Sequence, residues 1–244
     1  MWRRVQILFN FCFAIFVACD SNSDFFKDTG RPETLIKNLD SFQSITVGEK
    51  FYVEIECDLN KPQNITIEYY QNLNPKIDIS VSQGKLYIKD LNDYNWTRDL
   101  NIIPKLKINA HHLNELNIKG SCEFKCIDTI KTNILTINME SALPANLKVD
   151  CGNLYGGSNN IGSIYFEGRG TIFSWSCEMG SSVDARRLKC DDAYIRHYTK
   201  KDIYVSPDKI FEGFLYNSGN LFLKDKNFNK YNSTEKGTGR IIKY

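Results

Sequence analysis

The sequence predicts an all-β chain: a right-handed parallel β-helix, or β-solenoid, of about 20 residues per coil, preceded by an N-terminal strand region. Three observations predict it. Strict alternation of apolar and polar residues sets in at Phe42, no later segment carries a run at helical period, and beyond residue 110 short apolar cores recur at a near-constant interval.

Residues 1–18, "MWRRVQILFNFCFAIFVA", read as an export signal, with Arg3 and Arg4 ahead of a 14-residue mostly apolar run. That run is shorter than the roughly 20 residues a spanning helix needs, and Gln6 and Asn10 interrupt it. "FVAC" has the form of a bacterial lipobox, with Phe16 where Leu is usual, so Cys19 is expected to become the lipid-bearing N-terminus. Residues 19–41 are polar, cannot bury enough apolar surface to fold alone, and read as a lipid-anchored tether. Asp20, Asp24 and Asp28 behind the anchor point to the outer membrane, with the leaflet open.

Residues 42–244 read as a single domain, with strands over 42–109 and coils over 110–244. "FYVEIE" places Phe51, Val53 and Ile55 on one face, and the same period of two returns in "NITIEY", "KIDISV", "KLYIKD" and "KLKIN". "SVSQGKLYI" reads as a hairpin turning at Gln83-Gly84. In the second part, cores begin at Leu116, Leu135, Leu154, Ile172, Tyr194 and Phe214, spaced 18 to 22 residues apart. A second series, Phe124, Leu143, Ile164, Val183, Ile203 and Leu221, interleaves with it at intervals of 18 to 21. Two series sharing one period indicate stacked coils, each burying its apolar edge against the next. Gly120, Gly152, Gly168 and Gly180 are expected at corners with positive φ. A β-sandwich is the alternative; persistence of the period and the scarcity of two-residue hairpin turns favour coils.

Several of these residues carry a family resemblance. "LDSFQSITVGEKFYVEIE", with Phe42, Ile45, Val47, Phe51, Val53 and Ile55, resembles the opening of the putative auto-transporter adhesin head GIN domain family of Bacteroidota lipoproteins. The strand of Gly84, Leu86 and Ile88, the Asn95-Trp96-x-Arg98 segment, and the closing Gly237-x-Gly239-x-Ile241 are similar to that family's motifs in order and spacing. The resemblance covers roughly residues 40 to 244 and implies an all-β, coil-like fold on an envelope lipoprotein, with no catalytic residues.

Chemistry is sparse. The chain holds 31 basic and 29 acidic residues; without Arg3 and Arg4 of the signal the balance is neutral, which argues against nucleic-acid binding. Cys57, Cys122, Cys126, Cys151, Cys177 and Cys190 remain for disulfides or for a buried apolar role, with 15 pairings open. His111 and His112 would diverge on a strand, His197 stands apart, and neither a metal site nor a cofactor is expected. No nucleophile elbow, zincin motif or P-loop occurs. Asp191-Asp192 is the carboxylate pair a polysaccharide-cleaving β-helix would use, although neighbours on a strand diverge and a glycosidase needs two facing carboxyls.

Recurrent aromatics are more informative. Tyr155, Tyr165, Tyr194, Tyr204 and Tyr216 read either as an aromatic ladder within or along the solenoid or as an exposed strip for sugar rings. "DTI" resembles the O-glycosylation triplet of Bacteroidota, making Thr129 a candidate, whereas the Asn-x-Ser/Thr triplets at Asn64, Asn95 and Asn232 read as incidental in a bacterial lipoprotein. The function expected is non-catalytic: an envelope protein held to the membrane by its lipid, presenting a surface for a glycan or an envelope protein. A polysaccharide lyase or hydrolase and a structural subunit of a surface assembly are the alternatives.

Overall fold

A computed structural model describes residues 30–48, 50–71, 76–91 and 103–244. Cys19 and the Asn95-Trp96-Arg98 segment lie outside the described residues, as does the export signal. Eighteen strands and no α-helix make up what is described. The first seven are β1 (Pro32–Asn38), β2 (Ser44–Val47), β3 (Tyr52–Glu56), β4 (Asn64–Tyr70), β5 (Ile77–Ser82), β6 (Lys85–Asp90) and β7 (Lys105–Asn109). β8 (Glu115–Gly120), β9 (Glu123–Cys126) and β10 (Ile130–Ser141) lead into three long strands, β11 (Ala145–Asn160), β12 (Ser163–Met179) and β13 (Ser182–His197). The chain closes with β14 (Ile203–Val205), β15 (Pro207–Leu215), β16 (Leu221–Leu223), β17 (Lys230–Glu235) and β18 (Ile241–Lys243).

These strands stack as a β-solenoid of about six turns at a spacing of about 20 residues. The sandwich alternative fails because, from β8 onward, pairing is parallel and advances one coil at a time. Leu135 lies opposite Leu154, Leu154 opposite Phe173, Phe173 opposite Ala193, and Ala193 opposite Phe211. A second face runs Phe124, Ala145, Ile164 and Val183, and continues through Ile203, Leu221 and Ile241. A third, built from the first halves of β10 to β13, aligns Ile130, Val149, Gly168 and Leu188. β11, β12 and β13 therefore each run through all three faces, and β10 through two.

The N-terminal strands belong to the same ladders. β2 lies between β6 and β8, and β3 between β7 and β9, all in parallel. Antiparallel strands then close that end, β5 on β6 and the pair β1–β4 on β7. β1 falls inside the stretch read as a tether, lies fully exposed along β4, and covers an otherwise unpaired edge. The β5–β6 hairpin turns where expected, with φ of 50° at Gln83 and 72° at Gly84, the signature of a type I′ turn.

One continuous apolar core fills the coils, and the residues that carried the family resemblance in and just ahead of β2 and β3 are within it: Phe42, Ile45, Val47, Phe51, Val53 and Ile55 are buried. Large and small side chains alternate between rungs. Gly156 lies opposite Trp175, and a Cβ there would stand 2.9 Å from the indole. Phe166 and Phe173 flank the same indole, with centroids at 5.1 and 5.9 Å. At the C-terminal end, Cβ atoms on Gly237 and Gly239 would stand 2.1 and 2.0 Å from the carbonyls of Asn217 and Gly219, so only glycine permits those turns to stack.

Several register expectations are corrected. Ile172, Tyr194 and Phe214 point outward; their neighbours Phe173, Ala193 and Leu215 fill the core. Leu116 lies opposite Ile137, two residues beyond Leu135, and Ala145, not Leu143, continues the row of Phe124. Of the four corner glycines only Gly120 and Gly168 have positive φ. A side-chain period of two reverses every such one-residue slip, whereas the coil period of about 20 tolerates it.

Candidate functional site

The five tyrosines lie outside the core, on separate surfaces. Tyr155 and Tyr194 flank Ser174 on the first face. Tyr216 stacks on Tyr198 near the end of that face, with centroids 4.5 Å apart and rings 9° from parallel. Tyr165 and Tyr204 lie on the second face, either side of Asp184. The five do not form one strip, and two of them stack on another ring, Tyr216 on Tyr198 and Tyr204 on Phe222.

The second face carries the most developed surface. Its outward row reads Glu54, Lys125, Asn146, Tyr165, Asp184, Tyr204, Phe222 and Ile242, each opposite the next. Eight rungs at the usual strand separation span about 34 Å. A groove of about 810 Å³ lies along it, lined by Tyr52, Lys125, Asn146, Tyr165, Glu167 and Arg186 among others. Tyr165 is 44 % exposed, and Tyr204 stacks on Phe222 at 4.8 Å.

β13 makes this groove asymmetric. Tyr165 lies opposite Asp184 but Glu167 lies opposite Arg187, so β13 carries one extra residue, a β-bulge. The bulge breaks the alternation and leaves Arg186 and Arg187 exposed in succession between buried Ala185 and Leu188. Arg186 packs over the Tyr204 ring at 4.4 Å, and its Nε donates to both Asp184 carboxylate oxygens at 2.9 and 3.1 Å, with Nη2 also donating to Oδ2. Asp184 is drawn below the usual carboxylate range against the opposing effect of its burial, through the hydrogen bonds and charge of Arg186. Arg187 pairs with Glu167 at 2.9 Å. Sequence reasoning missed both arginines. The signal was two consecutive charges where alternation required one.

The remaining candidates are dispersed. Thr129 is half-buried in the turn between β9 and β10, beside a cleft of about 680 Å³ that His111, His112 and Cys57 also line. Asp128 next to it accepts from the Cys57 N–H at 3.2 Å. Among the described residues no three metal-ligating side chains converge. Asp191 accepts from Lys209 Nζ at 2.8 Å, while Asp192 lies opposite Ile172 and Ile210. All six described cysteines are free thiols. Burial pushes Cys122, Cys126, Cys177 and Cys190 up to about 12, and Cys57 and Cys151 to about 11, which keeps them unreactive at neutral pH.

The stacked coils define an all-β solenoid protein, with an outward row of charged, Asn and aromatic side chains along its second face. Residues 41–226 match the family described as "Putative auto-transporter adhesin, head GIN domain", and the chain belongs to that family. Solved structures share its fold. A putative adhesin from Bacteroides fragilis is 16 % identical, with a TM-score of 0.76 over 88 % of this chain and 97 % of its own. A putative adhesin from Parabacteroides merdae is 17 % identical, with a TM-score of 0.68 over 88 % and 98 %. A putative lipid binding protein from Parabacteroides distasonis is 21 % identical, with a TM-score of 0.63 over 88 % and 97 %. No curated protein matches. Membership supports an adhesion-type role at the cell surface or envelope.

Proposed function

We propose that this chain is a non-catalytic adhesion protein of the bacterial envelope, anchored through lipid on Cys19, whose second solenoid face binds glycan. The carrying observation is the outward row, in which Asn146, Tyr165 and Asp184 line one groove on consecutive rungs and Tyr204 stands on the next rung. Aromatic faces stack on sugar rings, and Asn and Asp side chains supply directional partners for hydroxyls. The rung separation is close to the length of one pyranose unit, which suits extended, multipoint contact. Each contact alone is weak, and several along one chain give useful affinity.

Non-enzymatic action is consistent with the family description and with the engagement of Asp191 by Lys209. Thr129, half-buried in its turn, is the candidate for O-glycosylation within the same reading. The test is titration of the full chain in detergent micelles with defined oligosaccharides, with product analysis in the same samples. Saturable binding without chain cleavage is the expected result. Depolymerisation that disappears in Asp191→Asn or Asp192→Asn would contradict the non-catalytic reading.

A further inference from the structure

The second-face groove has a feature that a neutral sugar would not use. Arg186 is held on two sides: its guanidinium lies over Tyr204 at 4.4 Å, a ring itself backed by Phe222, and Asp184 takes Nε and Nη2. Nη1 has no partner among the described residues. Ordering a long side chain before the ligand arrives removes most of the entropic cost of using it, and the guanidinium fork is the group best shaped for a carboxylate.

Besides Arg186 and Arg187, the groove is lined by Lys125, Lys148, Glu123, Glu167 and Asp184. Glu167 and Asp184 are taken by Arg187 and Arg186, whereas Lys125 pairs with no carboxylate among the described residues and Lys148 Nζ donates to the Ile127 carbonyl at 3.2 Å. Lys125 stands three rungs from Asp184 on the same row, about 14 Å away. The exposed ring of Tyr165 lies between them.

From this we infer that the groove selects carboxylated glycans, meaning chains of uronic acid. Arg186 Nη1 and Lys125 receive carboxylates some three sugars apart, and Tyr165 stacks on the ring between them. The inference rests on the glycan-binding reading above and adds the chemical class of the ligand. It also accounts for the bulge in β13, without which Arg186 and Arg187 could not both stand at the surface.

The experiment is calorimetric titration of the full chain in detergent with tetragalacturonate, its fully methyl-esterified form, cellotetraose and tetraglutamate. Tetragalacturonate is expected to bind about tenfold or more tightly than its ester and to weaken as sodium chloride is raised. Arg186→Gln is expected to lose that preference for the acid, and Arg186→Lys, which keeps the charge without the fork, to recover only part of it. Tyr165→Ala is expected to weaken acid and ester alike. Unchanged melting temperatures confirm that the variants fold. Equal affinity for acid and ester would overturn this inference and leave the glycan-binding reading intact. Tetraglutamate binding as tightly as tetragalacturonate would overturn it in favour of an acidic peptide. Binding of none of the saccharides would overturn both.

Discussion

His197 shows how completely one side chain can be committed to the coil. It lies on the inner row between Cys177 and Leu215 and is fully buried. Nδ1 accepts from the Thr199 N–H at 3.4 Å, which leaves the proton on Nε2, 3.3 Å from the Asn220 carbonyl. Desolvation holds the imidazole below its ordinary 6.5, although the Asn220 carbonyl and Asp202 favour the charged form. The folded state thus binds the proton less readily than the unfolded chain. The stability tied to this residue is present above pH 6.5 and is lost as pH falls from 6.5 towards the folded value. Urea unfolding at pH 7.5 and 5.5 should show a smaller acid loss for His197→Gln than for wild type. The sequence marked His197 as isolated, which is correct; its buried neutral role depends on two neighbouring coils and could not be read from one residue. Two of the expected coil starts were misplaced for a different reason. Tyr194 and Phe214 began apolar-x-apolar triplets, but the inward positions there belong to Ala193 and Leu215.

At the scale of the strand, Leu135 and Ile137 of β10 point into the core beside Leu154 and Gly156. Leu135→Asp would bury a charge without a partner and should cost several kcal/mol, roughly 3–5. Lys131, on the same strand, is exposed opposite Asp150, so Lys131→Gln should cost under about 0.5 kcal/mol. Denaturant midpoints of the two variants separate the inward and outward positions; equal shifts would mean that the register is wrong. The coil period was legible because every rung needs an apolar edge of the same length. Face and register were not, since the bulge at Arg186 shifts the alternation by one residue and the slip of Leu116 onto Ile137 moves the register by two, neither disturbing the period. Insertion of β2 between β6 and β8 was also hidden, because Ile45 meets Leu116 across 71 positions of chain and no local pattern records it.

For the whole molecule, the proposed anchor and the proposed adhesive face are two halves of one arrangement. A rigid solenoid presents its faces in a fixed order along one axis, and a lipid at Cys19 would hold that axis to the membrane through the polar residues that follow. Cys19→Ser should abolish labelling by a fatty-acid analogue and release the protein from the detergent phase, while wild type labels and partitions into it. An unlabelled wild type would contradict the anchor. The adhesive half depends on which face meets the ligand. Hydroxyl-radical footprinting of the full chain, with and without saturating polygalacturonate, reads this directly from tyrosine oxidation. The account predicts shielding of Tyr165 on the second face, with Tyr155 and Tyr194 on the first face and Tyr216 at its end oxidised as before. Shielding of Tyr155 and Tyr194 with Tyr165 unchanged would contradict it.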